Sequence, residues 1–168
     1  EANFEGYGPS GAAILIQTLT DNRNRTLQDI RNALNRGGGS LAEAGSVAWL
    51  FESKGTITID TGSANGEEIA LMAIDAGAED VSIEDGYLEV YTAPNKLEAV
   101  RKALEQAKCT VSSAEIAMVP KTTLQLGEED ALRILKLMDK LEELDDVQRV
   151  FSNVDFSDAV IEKFRAGT

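Results

Sequence analysis

The chain has 168 residues, a net charge of −13, no histidine and a single cysteine. Without histidine there is no His-containing triad, no imidazole general base and no imidazole metal ligand, and one cysteine excludes an intramolecular disulfide or a CxxC motif. No apolar run approaches the roughly 20 residues needed to span a bilayer, so no membrane contact is expected.

In chain order, the first predicted strand is the apolar, β-branched run 12–20. The five residues Glu1 to Glu5 before the glycines are too few for a buried strand. Thr26, with Asp29 three residues on, reads as the N-cap of a helix carrying Leu27, Ile30, Ala33 and Leu34 at helical spacing. Gly37-Gly38-Gly39 ends that helix, and no Gly-Lys-Ser/Thr follows it, so it is not a P-loop. Gly45-Ser46-Val47-Ala48-Trp49-Leu50-Phe51 reads as a second strand with Trp49 and Phe51 on a core-facing side. A second unit starts at Gly55. It comprises a strand at 56–60, a helix at 67–76, a hairpin of 80–84 and 87–92 around Asp85-Gly86 in a type I′ turn, a helix at 96–107 and a strand at 112–119. That β-α-β-β-α-β order is the ferredoxin-like pattern. A strand at 122–126 follows. Next comes a helix opened by Glu128-Glu129-Asp130, with Ala131, Ile134, Leu135, Met138 and Leu141 as its apolar stripe. A strand at 147–154 and a short helix at 158–164 complete the chain. Joining the outer pieces as β-α-β with β-α-β gives an α+β chain, a ferredoxin-like domain (55–119) inserted into a discontinuous α/β domain (1–54 and 120–168).

Gly6-Tyr7-Gly8-Pro9-Ser10-Gly11 spells G-x-G-x-x-G. A dinucleotide site needs a strand before that motif and a helix after it. Here a strand follows, and Pro9 removes an N–H that a phosphate cradle would use. The motif reads as a tight turn, and no cofactor is expected. Glu142-Glu143 and Asp145-Asp146 lack the alternating ligands and glycine of a calcium loop, so no metal is expected. No carboxylate pair sits beside a nucleophile, and the chain reads as non-enzymatic.

Acidic charge is uneven. Residues 1–54 hold 5 basic and 6 acidic groups, residues 55–119 hold 4 and 12, and residues 120–168 hold 7 and 11. Between 21 and 36, Arg23, Arg25, Arg31 and Arg36 face only Asp21 and Asp29. This is a basic island in an acidic molecule.

Four blocks resemble the YebC family of bacterial "transcriptional regulatory" proteins and mitochondrial translational activators of cytochrome c oxidase. They are Glu5-Gly6-Tyr7-Gly8-Pro9-Ser10-Gly11, residues 20–26, Gly45 to Glu52, and Leu144-Asp145-Asp146-Val147-Gln148-Arg149-Val150-Phe151-Ser152-Asn153. The resemblance implies a basic helical N-terminal domain followed by two α/β domains, the third inserted in the second. This chain looks like the second and third only, and it does not begin with Met, as a processed or truncated chain would not.

The candidate nucleic-acid-binding residues are Asn22, Arg23, Asn24 and Arg25, extended by Arg31 and Arg36 along one side of the helix, with Tyr7 for stacking and Lys54 at the domain junction. Arginine presents a planar fork to phosphate, asparagine bonds base edges or sugar hydroxyls, and an aromatic face accepts any base. The competing reading is a solvated segment whose arginines pair with Asp21 and Asp29, and a Tyr7 that closes its turn against the core. The function expected is a non-enzymatic, nucleic-acid-associated regulator of gene expression. RNA on the ribosome, either rRNA or tRNA, is preferred over DNA, because no helix reads as a major-groove recognition element. The alternatives are a DNA-binding transcriptional regulator, and a protein-interaction module whose acidic segment 55–119 meets a basic partner. The bacterial cytoplasm is expected, with the mitochondrial matrix as the other compartment; the sequence leaves the oligomeric state open, with a monomer favoured.

Overall fold

The computed structural model describes residues 1–62 and 65–167. It divides into two compact units, residues 1–52 with 120–168 and residues 53–119. Both are α+β.

In the outer unit, β1 (Ala2–Tyr7), β2 (Ala13–Thr18) and β3 (Ser40–Ala42) form a sheet with β8 (Val147–Ser152), in the order β3-β1-β2-β8. β1 pairs antiparallel with both β2 and β3, and β2 pairs antiparallel with β8. The six residues of β1 correct the expectation that this stretch is too short for a buried strand: Phe4 and Glu5 are both buried. β2 is covered on both faces, since Ala13 and Leu15 are as buried as Ile14 and Ile16.

α1 (Arg23–Arg36) forms because Ile30 and Leu34 recur four residues apart and both are fully buried against the sheet. Each such burial contributes roughly 1.5–3 kcal/mol. Its N-cap is Asn22, whose side chain accepts from the Arg25 N–H. Thr26 is not the cap as expected. Its backbone is already helical and its side chain is buried. At the other end Gly38 takes φ +83°, and the Gly39 N–H returns to the Leu34 carbonyl. This is a Schellman ending.

α4 (Glu128–Glu142) lays Ala131, Ile134, Leu137 and Leu141 inward. Leu137, outside the expected stripe, is buried, and Leu135 is only partly so. α5 (Asp158–Ala166) is capped by Ser157, buries Val160 and packs on α4. The expected strand at 122–126 is absent. Only Leu124 bridges the chain, giving its N–H to the Asn153 carbonyl and taking the Asp155 N–H. The outer unit is therefore not two β-α-β halves: β1 and β2 form a hairpin before α1, and α4 precedes β8.

The expected strand at 45–51 is also absent. A 3-10 turn occupies Ala48–Leu50, and β4 (Phe51–Asp60) begins only afterwards. The cause is Glu5. Its buried carboxylate accepts the N–H groups of Gly45 (2.6 Å), Val47 (2.8 Å) and Ala48 (2.7 Å). Donors gathered onto one carboxylate cannot feed a ladder. Phe51 is buried as expected, but Trp49 is 66% exposed and is not core.

The second unit contains α2 (Gly66–Asp75), β5 (Asp80–Ile83), β6 (Tyr87–Thr92), α3 (Leu97–Gln106) and β7 (Thr110–Pro120), with most of β4. Its sheet order, β5-β6-β4-β7, is the ferredoxin-like arrangement. Ile57, Ile59, Leu88, Val90, Val100 and Leu104 form the core. The β5–β6 turn has positive φ at Gly86 (84°) but not at Asp85, so it is not the expected type I′.

Candidate nucleic-acid interface

The segment Asn22–Arg25 turns out to be the N-cap and first turn of α1 rather than a loop. The tight turn between β2 and α1 is held by a hydroxyl–carboxylate cluster. Thr26 donates to Asp146 at 2.7 Å, and Thr20 lies 2.6 Å from the Thr26 hydroxyl while accepting the Asn22 N–H at 3.0 Å. Asp146, far along the chain, thereby fixes where α1 starts.

That geometry separates the candidate residues. Arg25 is bound to Asp146 at 3.0 Å and to Asp21 at 3.2 Å. The Thr26 hydroxyl, and then the Arg25 guanidinium, hold the Asp146 carboxyl below the usual carboxylate range, against a lesser opposing effect of burial. Arg25 therefore follows the solvated, ion-paired reading, although with Asp146 rather than Asp29 as its second partner. Arg23 is exposed, and its guanidinium sits 5.3 Å from the centroid of the buried Phe4 ring. Among the described residues no carboxylate is paired with Arg23, and its planar fork is a candidate for phosphate. Asn24 is exposed, whereas the Asn22 side-chain oxygen is used as the cap.

The four arginines do not share one side of the helix. At about 100° per residue, Arg25 and Arg36 lie within about 20° of each other, some 16 Å apart along the axis, whereas Arg23 and Arg31 fall on other faces. Arg31 is half-buried and Arg36 exposed. Arg36 faces α4, whose Arg133, Lys136 and Lys140 line the same groove. Sequence reasoning passed over these three, although their i, i+3, i+7 spacing in a helical stretch was the available signal.

Tyr7 ends β1, paired with Ala13 and Ser40, and is 38% exposed. Its carbonyl is crowded by Gly39, where an added Cβ would lie 2.1 Å from the Tyr7 oxygen. Lys54 belongs to the second unit and pairs with Glu79 at 2.9 Å. Trp49, exposed with its indole N–H fixed to the Ser46 carbonyl at 3.0 Å, is an aromatic surface that the sequence reading placed in the core.

Among the described residues, no group of three or more His, Cys, Asp or Glu is placed to hold a metal ion. No described helix is long and apolar enough to cross a membrane. Burial pushes the Cys109 thiol up, away from the thiolate that nucleophilic chemistry needs.

Residues 1–154 match the family model described as the TACO1/YebC second and third domain. A probable transcriptional regulatory protein of Dehalococcoides mccartyi (strain CBDB1) is 53% identical over 166 residues, covering 99% of this chain and 66% of that protein. One from Chloroflexus aggregans is 50% identical over 166 residues, covering 98% and 66%. The chain thus spans about two thirds of the length of these relatives. The crystal structure of a conserved hypothetical protein from Aquifex aeolicus superposes with a TM-score of 0.84 at 39% identity, covering 94% of this chain and 65% of that one. With a family model matched over most of its length and relatives at half identity, this chain belongs to the TACO1/YebC family.

Proposed function

We propose that this chain is a non-catalytic part of a regulator of gene expression, one that contacts RNA phosphates on the ribosome through α1 in the bacterial cytoplasm. The observation that carries the reading is the cationic α1 in a chain of net charge −13, with an exposed Arg23 whose guanidinium lies over Phe4. A short basic segment, its arginines spread over several sides, suits a loop or single strand better than a duplex, whose two phosphate rows demand a longer cationic footprint.

Transcriptional regulation through DNA is the second reading. It is favoured by the names of the relatives, which are called probable transcriptional regulatory proteins. Filter binding of the full chain to rRNA fragments and to duplex DNA over a salt series discriminates the two. Tighter RNA binding that Arg23→Ala weakens supports the first, and binding to duplex alone reverses the order.

A further inference from the structure

We propose that the groove between α1 and α4 is a second phosphate site, in which cations on both walls hold consecutive phosphates of one nucleic-acid strand. The proposal rests on the nucleic-acid reading above and assigns it a place on the surface that the α1 N-terminus does not reach.

The groove, open along one side to solvent, holds about 820 Å³ within the outer unit. Arg36 stands on one wall, and Arg133, Lys136 and Lys140 stand on the other. Only Asp29 and Glu143 oppose them there, which leaves the groove net positive by two in a strongly acidic chain. On α4 the three cations form a row about 10 Å long, too long for one compact anion to satisfy and suited to successive phosphates of a strand.

These cations are available. Among the described residues, neither Arg36 nor Lys136 has an ion pair. Arg133 is 3.9 Å from Glu129 and Lys140 is 3.5 Å from Glu143, with side-chain exposures of 60% and 70%. Exposed pairs within one helix hold each other weakly, so a phosphate displaces the carboxylates at little cost. Between the charged rims, the partly exposed Pro9, Ala33 and Leu144 supply apolar surface for sugar and base faces. The two helices approach closely there: an added Cβ at Gly37 would lie 2.6 Å from the Leu137 side chain. The cation-bearing walls are therefore held at a fixed separation before any ligand arrives.

The test uses the full chain labelled with ¹⁵N and two probes, inorganic tripolyphosphate and a single-stranded RNA 12-mer. Both are expected to shift the amide resonances of residues 33–38 and 133–140. In the triple variant Arg133→Ala, Lys136→Ala, Lys140→Ala, the salt dependence of RNA binding should flatten by about 2, at about 0.7 for each phosphate no longer neutralised. Circular dichroism of the variant checks that the fold is retained. Unmoved groove resonances with both probes overturn the proposal. RNA binding that is unchanged in the triple variant overturns the groove and leaves the wider reading intact. A wild-type chain that binds no RNA overturns the wider reading and, with it, the strand as the groove's occupant, even where tripolyphosphate shifts the groove resonances.

Discussion

The Arg25 guanidinium lies 3.0 Å from the Asp146 carboxylate, across 121 positions of sequence. A residue at the centre of the basic island is therefore already partnered, whereas among the described residues no carboxylate pairs with the neighbouring Arg23. The two arginines should respond differently to substitution. Arg23→Ala is expected to flatten the salt slope of RNA binding by about 0.7, the value for one phosphate. Asp146→Asn, which keeps an acceptor for Thr26 while removing the charge, leaves Arg25 with Asp21 as its carboxylate partner and should steepen the slope by less than that amount. Fluorescence anisotropy with a labelled oligonucleotide between about 50 and 200 mM salt reads both. Equal slopes in all three proteins would show that α1 meets no phosphate.

Glu5 organises a loop rather than a surface. Glu5→Ala leaves three backbone donors without their acceptor and is expected to destabilise the outer unit by on the order of 2–4 kcal/mol. Urea unfolding measures the loss. Hydrogen exchange should rise first at Gly45, Val47 and Ala48, whose N–H groups Glu5 holds.

The same carboxylate sets an acid dependence. Burial pushes the Glu5 pKa up, but the hydrogen bonds from Gly45, Val47 and Ala48 together outweigh it and leave the group below its ordinary value. Asp146 is lowered as well, by Thr26 and Arg25. A carboxyl whose native pKa is depressed stabilises the fold fully above its unfolded value, about 4.3 for Glu and 3.9 for Asp. That stabilisation is lost as pH falls through the lower native value. The urea midpoint should therefore hold from neutrality to about pH 5 and drop below about pH 4. In Glu5→Gln the acid limb should be shallower, since the Glu5 titration is gone.

Trp49 offers a direct check on the 45–51 loop. With its indole exposed, Trp49→Ala should cost under about 1 kcal/mol, far less than the roughly 3–5 kcal/mol of a buried aromatic. As the sole tryptophan of the chain, it should also show solvent-exposed native emission that changes little on unfolding.

Gly39 is a position where side-chain volume is excluded by backbone. A Cβ there meets the Tyr7 oxygen at 2.1 Å. Gly39→Ala must therefore shift the α1 ending away from β1, at a cost of about 2 kcal/mol or more. Thermal unfolding of the variant measures it, and an unchanged Tm would contradict the close approach of the two segments.

Much of the fold was readable from periodicity. Ile30 with Leu34, Val100 with Leu104 and Ile134 with Leu141 mark helices, because a buried stripe leaves a regular trace whatever its partner. The ferredoxin-like order of the second unit followed from local patterns and one hairpin. The failures share a different cause. β1 was missed because the strand runs on through Gly6 to Tyr7, so the residues before the glycines are not its whole length, and the partners that make its buried Glu5 tolerable lie 40 and more positions away. The segment 45–51 has strand-like composition, yet its N–H groups are claimed by that same carboxylate. For the candidate interface, composition located the arginines but could not divide them. That Arg25 is paired, that Arg23 lies over Phe4 and that Arg36 faces Lys136 across a groove depend on where β8 and α4 return.

β2 is zipped to β8 with Ile14 opposite Ser152. On a translating ribosome, the first hairpin and α1 emerge well before the strand that completes their sheet. At about 5–20 residues per second, the exposed edge of β2 waits on the order of ten seconds for its partner. During that interval the 53–119 unit, whose sheet is built from neighbouring strands of its own, has time to fold by itself. The order of synthesis thus gives the nascent chain a finished inner domain and an unfinished outer one, and makes the edge of β2 the place where a chaperone would be needed.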